Sequence, residues 1–108
     1  MKLVIAIIQD DDAANLVSNL TEEGFRVTKL ASTGGFLKAG NTTLLIGVED
    51  EKLDDLIKAV EVVCRPREIT TSVPLMPIVE DTYIPYPYNI KIGGATLFIL
   101  DVDRYERI

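Results

Sequence analysis

The chain has no histidine. That absence removes the usual general base near neutral pH and the commonest nitrogen ligand for a metal ion. Ser18, Ser32 and Ser72 are left without the customary base to activate them as nucleophiles. The single cysteine, Cys64, allows no internal disulfide, and its place on an apolar helical stripe predicts a buried, unreactive thiol in a reducing compartment. No apolar run approaches the roughly 20 residues needed to cross a bilayer. The short run at 3–8 is cut off by Gln9 and three aspartates, unlike a targeting signal, so the expectation is a cytoplasmic protein with no membrane insertion. Basic residues are outnumbered 11 to 17, for a net charge of -6, which argues against nonspecific binding to a nucleic-acid polymer or an anionic membrane. Any anion must meet a local site. The carboxylates cluster at helix starts and on faces expected to be solvated, and Asp10, Asp11 and Asp12 would not converge on a Mg²⁺ ion. These absences predict a protein that is not an enzyme and holds no metal or cofactor.

What is present suits one domain spanning 1–108: 47% hydrophobic and 26% charged residues in a chain of 108, enough for a single core. Residues 3–8 form a continuous aliphatic run, as in a strand covered on both faces. Asp10 then reads as a helix N-cap, followed by Ala13, Leu16, Val17 and Leu20 at helical spacing and by Gly24 as the stop. Residues 25–30 alternate, with Phe25 and Val27 set for a core and Arg26 and Thr28 for the opposite side. A second strand is expected at 42–48. The helical pattern then returns after Glu49, Asp50 and Glu51. Shifted by 40 positions, Ala13, Leu16, Val17 and Leu20 fall on Leu53, Leu56, Ile57 and Val60, and Asp10 on Asp50. Two strand-helix-strand units in tandem predict an α+β, ferredoxin-like fold, a split βαβ repeat with both helices on one face of an antiparallel sheet.

Helices on one face leave the other bare, yet both alternating sets are apolar: Leu3, Ile5 and Ile7 against Val4, Ala6 and Ile8, and Leu97 and Ile99 against Phe98 and Leu100. An apolar face as wide as a sheet predicts a homo-oligomer whose sheets pack together. All five prolines lie in 66–87. Residues 67–73 and 88–92 read as paired strands, with 74–87 as an irregular, extended Pro-rich loop suited to packing on a neighbouring subunit. Between the strands at 25–30 and 42–48, Thr33, Gly34 and Gly35 form a turn whose backbone N–H groups suit an anion. A Gly-Gly turn is more often only a turn. No Lys-Ser or Lys-Thr follows the last Gly of TGGFLKAGNTT, and a strand comes next where a phosphate loop has a helix.

Several runs taken together resemble one family over essentially the full length. LVIAIIQDDD, GFRVTKLASTGGFLKAGNTTLLIG, YIPYP, and GGATLFIL followed by VDRYER are similar to the PII-like cyclic di-AMP receptors of Gram-positive bacteria. The resemblance implies a ferredoxin-like subunit, a homotrimer, and three molecules of cyclic di-AMP in clefts between adjacent subunits. It implies ligand contacts from Arg26 and Thr28 on the second strand, from Gly35, Phe36 and Leu37 in the turn, from Asn41 facing a base, from Gly47 by close approach and from Phe98 on the last strand. It also implies an unidentified downstream protein as partner.

Each residue type suits the ligand. Two phosphates call for localised charge or N–H donors and two adenines for apolar surfaces. Thr28 and Gly35 donate to phosphate oxygens, Arg26 adds charge or lies flat on a base, and Asn41 pairs with adenine through one donor and one acceptor, as Asn does in reading DNA. For Phe36, Leu37 and Phe98 core packing is the competing assignment. A PII-type sensor of ATP or another mononucleotide is the alternative function. One segment departs from the family: members carry Met-Gly-Gly in the long loop after the second helix, whereas PLMPIVE here has no glycine, which stiffens the loop.

Overall fold

The computed structural model describes residues 1–30, 40–74 and 85–108, with backbone alone at 71–74 and 85–88. Strand β1 (Lys2–Gln9) leads into helix α1 (Asp10–Glu22), then β2 (Arg26–Leu30) and β3 (Asn41–Val48). A single 3-10 turn, Asp50–Lys52, opens helix α2 (Leu53–Cys64), followed by β4 (Arg67–Pro74), β5 (Pro85–Ile92) and β6 (Ala95–Asp101). One antiparallel sheet has the order β2-β3-β1-β6; β4 and β5 form a separate antiparallel pair. With β6 as the fourth strand, this is the order of a ferredoxin-like α+β sheet. The β4-β5 hairpin is inserted between its second helix and last strand.

The core follows from the two periodicities. Val4, Ala6 and Ile8 of β1 and Leu44, Ile46 and Val48 of β3 turn to one side, where Leu16 and Leu20 of α1 and Leu56, Val60 and Cys64 of α2 cover them. Phe25 and Val27 pack against this cluster, while Arg26 and Thr28 are exposed on the other side, as their alternation predicts. Helix α1 ends where expected. The N–H of Gly24, at φ 91, donates to Thr21 O at 3.1 Å and that of Phe25 to Leu20 O at 2.9 Å, the paired bonds of a Schellman stop.

Three local expectations are corrected. Gln9, not Asp10, is the N-cap residue of α1. Asp10 is already helical because β3 engages both of its polar groups: its N–H donates to Gly40 O at 2.8 Å, and its carboxylate accepts from Thr42 Oγ1 at 2.5 Å. Asp12 is not solvated; it is buried against Arg67. The stretch expected to be irregular, 74–87, is shorter, because β4 runs through Pro74 and β5 begins at Pro85. A two-stranded ladder tolerates those prolines, since only alternate N–H groups face the partner and both outer edges lie outside the main sheet. The rest of that stretch, 75–84, lies outside the described residues. Among the described residues no helix is long and apolar enough to cross a membrane.

Candidate functional site

With both helices on one side, no other element among the described residues covers the opposite face of the sheet. Register sets its residues in rows across β2, β3, β1 and β6. The first row is Arg26, Gly47, Leu3 and Leu100; the second is Thr28, Leu45, Ile5 and Phe98; the third is Leu30, Thr43, Ile7 and Thr96; Asn41 and Gln9 begin a fourth. Five of the expected ligand residues, Arg26, Thr28, Asn41, Gly47 and Phe98, thus share one face. Gly35, Phe36 and Leu37 lie outside the described residues.

The face is chemically distinct from the rest of the chain. In a protein with 17 carboxylates, these rows hold none, and Arg26 is their one charged residue. A field set by Arg26 and the exposed Thr28 hydroxyl suits an anion, whereas the acidic exterior repels one. Apolar groups are exposed beside them. Phe98 is 52% exposed, Leu100 46% and Leu30 40%, so Phe98 belongs to this surface and core packing is not its role within the subunit. Thr43 is buried, and its Oγ1 has no hydrogen-bond partner among the described residues.

Distance limits what one subunit offers. Phe98 lies three strand spacings from Thr28, roughly 14 Å, and Asn41 lies six residues along β3 from Gly47, roughly 20 Å. No single base or phosphate spans either gap. A flat sheet also gives a ligand only one wall. Gly47 is exposed, with the Met1 methyl 3.4 Å from where a Cβ would stand, at the edge of the face.

At the Asn41 end, Gln9, Ile7, Thr96 and the Gly93-Gly94 turn line a small cavity of about 170 Å³. Gln9 Oε1 accepts from the Gly93 N–H at 2.7 Å. Gly93 has φ 94, and a Cβ there would strike the Arg65 carbonyl, so the turn requires glycine. On the helix side, Arg67 Nη2 donates to Asp12 Oδ1 at 2.6 Å, and Arg67 Nη1 donates to the Arg65 carbonyl at 3.1 Å. Gln9, Asp12 and Arg67 were not legible as site neighbours, although Asp12 carried a signal: it lies four residues before Leu16 and eight before Leu20, on the apolar stripe, where a carboxylate demands a partner.

Cys64 is buried, and burial pushes its thiol up to about 11, with Asp12 adding to the rise and Arg67 opposing it. At pH 8 about one thiol in a thousand is then ionised. The native protein is expected to leave an aromatic disulfide reagent unconsumed over hours at that pH and to release one equivalent once unfolded in guanidinium; rapid native labelling would contradict the buried, unreactive assignment. Among the described residues no group of three or more Cys, Asp or Glu side chains is arranged to hold a metal.

Comparison with known proteins identifies the family. A crystal structure of a functionally unknown protein from Pediococcus pentosaceus is similar, with 39% sequence identity and a TM-score of 0.78 over 99% of this chain and 96% of that one. The family model described as cyclic-di-AMP receptor matches residues 1–108. The chain belongs to the cyclic-di-AMP receptor family.

Proposed function

We propose that the protein is a cytoplasmic signal-transduction receptor that binds cyclic di-AMP in clefts between the subunits of a homotrimer and responds by changing loop conformation. The observation that carries this reading is the bare sheet face, free of carboxylates and bearing Arg26, Thr28, Asn41 and Phe98 together. A second copy laid against it supplies the missing wall and brings Phe98 of one chain toward Thr28 of another, which one chain holds roughly 14 Å apart. Gly35, Phe36 and Leu37 are assigned to the same cleft. Ligand changes the loops only through unequal affinity for their two states, and a downstream protein reads the difference.

Titration calorimetry tests it. Cyclic di-AMP is expected to bind at micromolar concentration or below. Loss of a hydroxyl bonded to a charged phosphate in Thr28→Val weakens binding roughly tenfold to a hundredfold, and Asn41→Ala abolishes detectable heat. The alternative, a PII-type sensor of ATP or another mononucleotide, predicts that ATP displaces the cyclic dinucleotide; the present reading predicts that it does not. Absence of heat with cyclic di-AMP at high concentration would end the reading.

A further inference from the structure

Among the described residues the β4-β5 hairpin meets no other element in more than a marginal contact, yet two side-chain contacts fasten its base. Arg67, first residue of β4, is held by Asp12 at 2.6 Å, and the N–H of Gly93, just past β5, donates to Gln9 Oε1 at 2.7 Å. Both acceptors belong to the junction of β1 and α1. The other side of that junction grips the ligand end of β3: Gln9 pairs with Asn41, the Asp10 N–H donates to Gly40 O at 2.8 Å, and Asp10 Oδ1 accepts from Thr42 Oγ1 at 2.5 Å. Gln9, Asp10 and Asp12, within four consecutive residues, therefore join the candidate ligand position on one side to the hairpin base on the other.

We propose that this junction, residues 9–12, is the coupling element between the ligand face and the hairpin, with Gln9 and Arg67 as its positioning residues. Asp12 is buried and parts from Arg67 only by leaving a charge uncompensated, so β4 follows the first turn of α1. That turn carries the Asp10 groups that bind residues 40 and 42. A shift at Asn41 therefore reaches both strands of the hairpin through bonds that do not stretch freely. The proposal rests on the reading of the bare face as the cyclic di-AMP site.

Hydrogen exchange of the full chain, with and without cyclic di-AMP, tests it. In the wild type, ligand is expected to slow exchange in β4, in β5 and at Gly93 by about tenfold, within the range that coupling between sites spans. In Asp12→Asn with Arg67→Gln, and in Asp12→Asn with Arg67→Met, which remove the buried charge pair without orphaning either member, calorimetry still detects binding while the hairpin response disappears. A hairpin that responds equally in these variants, or one that ignores bound ligand in the wild type, overturns the proposal. A ligand-free arm separates it from the receptor reading. Thr42→Val, which breaks the bond to Asp10, is expected to speed exchange at Gly93 and early β4 about threefold in the wild type and not in the variants. If cyclic di-AMP fails to bind, the receptor reading falls, and the Thr42→Val result alone decides the coupling: faster hairpin exchange upholds it, unchanged exchange overturns it.

Discussion

Phe98→Glu is expected to convert the proposed trimer to monomers and to remove cyclic di-AMP binding in one step. Within its own subunit Phe98 is 52% exposed beside Ile5, so a glutamate there removes little internal packing and the subunit stays folded. Around that position the face is apolar, with Leu3, Ile5, Ile7, Leu45 and Leu100 nearby on β1, β3 and β6. A charge pressed into such a face by a second copy loses its water without gaining a partner. Symmetry repeats the cost at every junction. Sedimentation is expected to show the mass falling from three times the 11.9 kDa subunit to that of the subunit, with the far-ultraviolet circular dichroism spectrum unchanged. Calorimetry should lose the ligand signal, because the second wall of the cleft has gone and a carboxylate repels phosphate; binding is weakened by at least about a hundredfold. A variant that remains trimeric would show that the sheets do not meet along this face, and a wild type that sediments as a monomer would remove the intersubunit cleft altogether.

The parts that were legible are those governed by local period. Strand β2 alternates, so the outward aim of Arg26 and Thr28 followed from Phe25 and Val27, which pack on the core. The 40-residue shift between Asp10 and Asp50 marked two like units, and both helices start at or just after those residues. Other features depended on pairing between distant segments. That Phe98 shares a row with Thr28 is a matter of register across β3 and β1, which no local pattern encodes. The Asp12–Arg67 pair joins positions 55 apart; the triplet Asp10, Asp11 and Asp12 looked like dipole-compensating charge, and only the spacing to Leu16 hinted that one carboxylate was buried. The proline count obscured the hairpin, because a proline without a donor argues against a central strand and not against one with a single paired edge.

Arg67→Met is expected to be the most costly single change outside the apolar core. Asp12 is buried, its side chain 3% exposed, whereas that of Arg67 is 34% exposed. Removing one member of a buried pair costs about 3–5 kcal/mol, because the remaining charge keeps its desolvation and loses its compensation. Water reaches the Arg67 side, which lowers the expectation below that range. For a domain of this size that lowers the thermal midpoint by several degrees, compared at equal subunit concentration because assembly also sets the midpoint. The double change Asp12→Asn with Arg67→Met should regain much of the loss, since a neutral amide is far cheaper to bury than an unpaired carboxylate. The two single changes and the double then give a coupling energy larger than the scatter of independent sites. The hairpin should register the loss beyond its share of global stability. A lone two-stranded ribbon is marginal in water, and among the described residues the hairpin base would keep the Gln9–Gly93 bond and the bond from the Gly94 N–H to the Cys64 carbonyl, both on the β5 side. Limited proteolysis is therefore expected to cut Arg67→Met in 67–92 well before the main sheet is attacked. A variant that melts within about 0.5 kcal/mol of the wild type would show that water already solvates Asp12 and that the pair does not anchor the hairpin.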